Sequence, residues 1–153
     1  MPQKERLRWF SHEILGRDLD VDCAEDKQII QKAVFLAQSL KMDFDYKFGW
    51  HVRGVYSSPL TVDLYEIKDA DSNYTPTEQE KEFTRKLSSV KGALGDPNKS
   101  FEIISTIMYA ETSRGMNRAE IIEFIKKVMP WFTNREIKIA MVASERLKSG
   151  TTL

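Results

Sequence analysis

Residues 28–53 read QIIQKAVFLAQSLKMDFDYKFGWHVR, and a change of period inside this stretch decides the fold. In its first half Ile29, Ile30, Ala33, Val34, Ala37 and Leu40 recur at intervals of three and four, and Phe35 and Leu36 widen the apolar face. That spacing predicts a helix over 24–41 lying centrally in the core. Asp22 and Asp26 stand near its start, where negative charge suits the positive end of the helix dipole. In the second half Phe44, Tyr46, Phe48, Trp50 and Val52 fall on every second residue, with Asp43, Asp45, Lys47, Gly49, His51 and Arg53 between them. This alternation predicts a half-buried strand or hairpin with an aromatic inner face, and Gly49 as a bulge or turn within it.

Before this stretch, Leu7, Phe10, Ile14 and Leu15 predict a helix over 3–16 closed by Gly16, then an acidic connector over 17–23. After it, residues 54–60 read as a turn into a helix with a serine N-cap and a proline in the first turn. Leu60, Leu64 and Ile67 give that helix one apolar face, and 69–74 form a polar surface loop. Two overlapping capping boxes follow, Thr75 with Glu78 and Thr77 with Glu80. Phe83, Leu87, Val90 and Leu94 then run down one helical face until Gly95-Asp96-Pro97 stops it. Further helices are expected over 99–113, ended by Gly115, over 117–128, opened by Asn117 and Glu120, and over 133–147, opened by Thr133 and Glu136. Pro130-Trp131-Phe132 separates the last two, and Gly150 with a short tail ends the chain. The expected fold is mainly α, with six to seven helices and one small antiparallel β-hairpin, an order compatible with a winged-helix-like N-terminal half. Residues 1–153 are expected to form a single compact domain, an N-terminal part (1–70) with the aromatic strand and a helical C-terminal part (75–150).

The chain has 153 residues, 41% of them apolar and 30% charged, which is a globular composition long enough to bury roughly two thirds of its unfolded surface. Its 23 basic and 23 acidic residues cancel, which removes the bluntest signature of a nucleic-acid binder. The first 75 residues carry 10 basic and 13 acidic groups (−3), the remainder 13 and 10 (+3). One cysteine, Cys23, forms no disulfide within the chain, which points to a cytoplasmic setting. The polar N-terminus lacks the apolar core of a signal peptide, and no apolar run of 18 residues predicts a membrane span.

Catalytic patterns are sparse. Nucleotide-binding glycine loops and the Gly-x-Ser-x-Gly elbow are missing. Asp18, Asp20 and Asp22 begin like a calcium loop, but Cys23 and Ile29 stand where glycine and glutamate are needed. Cys23 and the two histidines, His12 and His51, lack zinc-motif spacing, so no metal and no cofactor are expected. Cys23 reads as a small buried or partly buried thiol. The aromatic stripe reads as core rather than a base-stacking platform, because Asp43 and Asp45 interrupt it. His51, beside Arg53 and near Tyr56, is a candidate acid/base or anion-binding group. No nucleophile or carboxylate sits at a diagnostic spacing from it, so an enzymatic role ranks last.

The segment Gln31-Lys32-Ala33-Val34-Phe35-Leu36-Ala37-Gln38 resembles the "LQKLVYLAQ" helix of Panacea-type antitoxin domains and of the related YwgA-like bacterial and phage proteins. Residues 44–57 resemble their extended aromatic segment and "YGPYS" turn, with Val55 in place of the usual proline, and Leu60–Tyr65 stands for their short "LxxDLY" helix. Arg118–Glu123 and Met129-Pro130-Trp131-Phe132-Thr133 are similar to the C-terminal pattern, so the resemblance spans most of 24–147. Panacea-type antitoxins bind a partner toxin directly, so the resemblance implies a non-enzymatic protein-interaction or regulatory module, antitoxin-like and linked to phage or defence. The surface assigned to a protein partner is His51, Arg53, Tyr56 and Ser57. The alternative is a DNA-binding transcriptional regulator using a helix-turn-helix-like pair at 117–147. Arg135 and Lys138 would then lead the recognition helix, and Lys126 and Lys127 would lie near the DNA backbone. An ordinary αα-hairpin is the commoner meaning of such a pair, and Glu136 and Glu145 dilute its basic face.

Overall fold

A computed structural model describes residues 3–149. The expected ending at Gly150 and its tail, and the first two residues of the polar N-terminus, lie outside the described residues. Among the described residues, seven helices and one two-stranded antiparallel hairpin make up a mainly α fold. In chain order they are α1 (Gln3–Leu15), α2 (Ala24–Ser39), β1 (Gly49–His51), β2 (Gly54–Tyr56), α3 (Ser58–Glu66), α4 (Glu78–Val90), α5 (Pro97–Thr112), α6 (Arg118–Val128) and α7 (Asn134–Lys148). A single 3-10 turn, Ile67–Asp69, extends α3.

The centre of the fold is α2, in which every residue from Ile29 to Phe35 and on to Ala37 is buried. It packs along α5, which in turn holds α6 and α7, while α1 lies against α4 and α2. Residues from both halves of the chain, Leu36 and Leu64 with Phe101 and Ile104 among them, share one apolar cluster. A helix buried all round must find internal partners for any polar group it carries. Three such groups on α2, Gln31, Lys32 and Gln38, shape what packs on it.

Gln38 explains why the aromatic stretch is not a ten-residue strand. Its side-chain amide accepts from the Tyr46 N–H (2.7 Å) and donates to the Tyr46 carbonyl (2.9 Å), as a neighbouring strand would. Arg6 donates to the Asp43 carbonyl (2.8 Å), and Tyr46 Oη donates to Asp63 (2.6 Å). With these groups satisfied by side chains, residues 42–48 run without a strand partner and turn through a left-handed φ of +64° at Asp45. Pairing begins only at Gly49↔Tyr56, Trp50↔Val55 and His51↔Gly54. The aromatic side chains still turn inward: Phe44 is buried, Phe48 meets Phe35, and Trp50 stacks on Tyr109 of α5 at 5.2 Å. Val52 departs from the alternation. It sits in the two-residue turn and is fully exposed, because the strand ends one residue before it. The positive φ of this turn falls on Gly54 (+98°), a conformation that a Cβ would strain.

Caps correct several boundaries. Cys23, not an aspartate, caps α2, with its Sγ accepting from the Asp26 N–H. Asp26 turns back instead to a bidentate pair with Arg17 (2.7 Å each) and to the Asp20 N–H. Of the two overlapping boxes, only Thr77 with Glu80 forms, since α4 starts at Glu78. Helix α4 also ends at Val90, so Leu94 lies in a turn, where its N–H donates to Ser100 Oγ. Ser57 caps α3, and the boxes at Asn117 and Thr133 open α6 and α7 as the sequence predicts.

Candidate functional site

Lys32 and Gln31 carry the hairpin and the start of α3 on α2. Lys32 is 4% exposed, and its ammonium donates to the carbonyls of Arg53 and Val55, both at 2.8 Å. Burial pushes its pKa down to about 8, against the pull of Glu102 and with the help of Arg53. Gln31 accepts from the Ser57 N–H (2.9 Å) and donates to the Ser57 carbonyl and to Thr61 Oγ1. The hairpin is therefore held at its turn, along β2 and at its C-terminal flank by one helix.

Between α2, the hairpin and α3 this leaves a cavity of about 470 Å³. Lys27, Gln28, Lys32, His51, Arg53 and Tyr56 line it, with Val52 and Tyr65 at its rim, and no Asp or Glu belongs to the lining. The His51 ring meets Tyr56 edge-on at 5.0 Å. The hydroxyls of Thr61 and Tyr56 are hydrogen-bonded to each other at 2.6 Å. Lys27 donates to Tyr65 Oη (2.7 Å), which together with nearby acidic groups holds its pKa above the usual lysine value. Behind Lys32 stands Glu102 of α5, whose carboxyl burial pushes upward and whose Oε1 accepts from the exposed Trp131 indole at 3.4 Å.

Three of the sequence-assigned residues, His51, Arg53 and Tyr56, thus come together on one cavity wall. Ser57 does not join them: it is buried, and its hydroxyl caps α3 behind the wall. The sequence reading missed Lys27, Gln28, Lys32 and Tyr65. For the three on α2 the signal was present as two i,i+4 polar pairs, Lys27/Gln31 and Gln28/Lys32, where a buried apolar helix has no need of them.

The second sequence-assigned group is elsewhere. Lys126 and Lys127 end α6, and Arg135 and Lys138 lie in the first two turns of α7 across the connection 129–133. All four are exposed, and among the described residues none takes part in an ion pair or hydrogen bond. Glu136, between the last two, is paired with Lys99. Among the described residues, no group of three His, Cys, Asp or Glu side chains is placed to hold a metal, and no helix is long and apolar enough to cross a membrane.

Comparison with known proteins adds one relative of this whole arrangement. The chain is 26% identical to the uncharacterized protein YwgA of Bacillus subtilis (strain 168), over 90% of each chain, which supports a YwgA-like family. No family model matches the chain. No solved structure matches it.

Proposed function

We propose that this chain is a non-enzymatic protein-interaction or regulatory module, antitoxin-like in mode, that works as one compact cytoplasmic domain. Its partner-binding face is the hairpin turn with the cavity beside it. The observation that carries the reading is Val52: an apolar side chain fully exposed at the tip of a hairpin that α2 holds rigid, flanked by His51 and Arg53. Arginine and tyrosine, which stand beside Val52 as Arg53 and Tyr56, are among the residues enriched at interface hot spots. The sequence resemblance to Panacea-type antitoxin domains supports the same direction. Affinity capture of the tagged full chain from its native cells, with quantitative mass spectrometry, tests it. A partner recovered in near-equal amount by the wild-type chain, and depleted about tenfold or more by Val52→Asp, is the expected result. Recovery of the wild-type chain alone overturns it.

A second reading has its own observation. The four exposed cations Lys126, Lys127, Arg135 and Lys138 on the α6–α7 pair, without partners among the described residues, favour contact with a DNA backbone. Its signature is duplex binding at about 50 mM salt that weakens steeply with added salt and in Arg135→Ala/Lys138→Ala. Absence of any duplex binding at low salt removes it.

A further inference from the structure

The cavity beside the hairpin has a charge pattern that specifies its occupant more narrowly. Lys27, Lys32 and Arg53 line one concave space with no carboxylate in the lining. Glu102, the acid whose charge reaches both Lys32 and Arg53, lies outside the lining and bonds to neither. Concave walls focus such a field and draw in negative charge. Donors there are uncommitted as well. A lysine ammonium has three N–H groups, and Lys32 gives two to hairpin carbonyls. The Arg53 guanidinium makes no hydrogen bond or ion pair among the described residues.

The rim argues for a segment of protein over a free small anion. Val52 is fully exposed and Tyr65 is 49% exposed, both at the mouth. A free phosphate or carboxylate in the cavity leaves both uncovered, whereas a peptide that places an acid inside has a neighbouring side chain to cover them. The volume, about 470 Å³, suits one or two side chains and falls within the range of ordinary ligand sites.

We propose that this cavity docks an acidic segment of a partner protein, with one Asp or Glu carboxylate entering between Arg53 and Lys32 and an adjacent apolar side chain covering Val52. The inference rests on the interaction reading above and names the chemistry of its partner. Random peptides displayed on phage are selected on the immobilised full chain, and the enriched sequences are synthesised and titrated by fluorescence anisotropy. Lys32 is left intact because it holds the hairpin. The exposed Arg53→Glu is the variant, with its helicity checked by circular dichroism. Enriched peptides carrying Asp or Glu next to an apolar residue, binding that weakens about tenfold or more in Arg53→Glu, and weakening with added salt are the expected results. Neutral or basic consensus sequences, no enrichment, equal binding by Arg53→Glu, or inorganic phosphate binding more tightly than the best peptide overturns the proposal. Loss of the native partner in Val52→Asp, with no acidic preference among the peptides, removes the acidic class while the interaction reading stands. A wild-type chain that captures no native partner removes the interaction reading itself.

Discussion

Replacing Lys32 by methionine separates the cost of a buried charge from the value of the bonds it makes. In the folded chain the Lys32 pKa is about 8, and in the unfolded chain it returns to about 10.5. Between these values the unfolded chain binds more protons, so the stability of the wild-type protein rises with pH through this window. Integrated from pH 7 to pH 9.5, the rise is about 2 kcal/mol. Below pH 8 the ammonium stays charged inside the protein, and its two carbonyl bonds offset that cost. Lys32→Met removes both, so its stability at pH 7 is set by a near-cancellation, but the Lys32 contribution to the pH dependence in this window vanishes. Urea unfolding followed by far-ultraviolet circular dichroism at pH 7.0, 8.0, 9.0 and 9.5 measures both proteins. The upper limit avoids Tyr74, whose burial and bonds to Glu80 push its pKa to about 12 and whose unfolded form titrates near 10. The quantity to follow is the wild-type stability minus that of Lys32→Met, which grows by about 2 kcal/mol across the series. Parallel curves for the two proteins refute the burial of Lys32 as a charged group.

Other perturbations test the framework around the site. Glu80 is nearly buried and bonds Tyr74, Arg6 and the Thr77 N–H, so Glu80→Ala lowers the urea-derived stability by about 3 kcal/mol, while Glu78→Ala, in the box that does not form, changes it by under about 0.5 kcal/mol. Asp26, held below the usual carboxylate pKa chiefly by its bonds to Arg17, stabilises the fold at neutral pH. That stabilisation is present above the unfolded pKa near 3.9 and lost as pH falls through the depressed folded value, so acid titrations of wild type and Asp26→Asn converge at the acid end. Lys41 follows α2 with a left-handed φ of +82°, and Lys41→Gly raises the midpoint of urea unfolding by relieving about 1 kcal/mol. Phe101→Ala, in the second turn of α5 and fully buried, costs about 3–5 kcal/mol by the same measurement, and Val52→Asp at the hairpin tip costs under about 0.5 kcal/mol.

Helices were the most legible part of the sequence, because their caps and three-four spacing are local. Asn117 with Glu120 and Thr133 with Glu136 open α6 and α7 where the residues say they do. The aromatic stretch was half legible. Its alternation gives the inward face of Phe44, Tyr46, Phe48 and Trp50, yet the length of the strand depends on Gln38, which answers the Tyr46 backbone from another element. No local pattern announces that substitution. The same holds for the polar residues inside the segment 31–38: Gln31, Lys32 and Gln38 are brackets for the hairpin, a role visible only when the hairpin is placed. Of the candidate site, the hairpin half (His51, Arg53 and Tyr56) was legible because polar residues cluster near a turn. The helical half, Lys27, Gln28 and Lys32, was hidden within the amphipathic pattern of α2, where one apolar face drew all the attention.

The interlocking of α2 with α5 has a consequence for the chain as a covalent object. The polar loop around Asp71–Asn73 is exposed and joins segments that already share one core through these two helices. A protease cut there severs the backbone without separating the pieces, since neither fragment keeps a core of its own. The two halves, produced as separate chains, are expected to reassemble into a nicked but native-like protein, so this loop is the natural place to split the molecule.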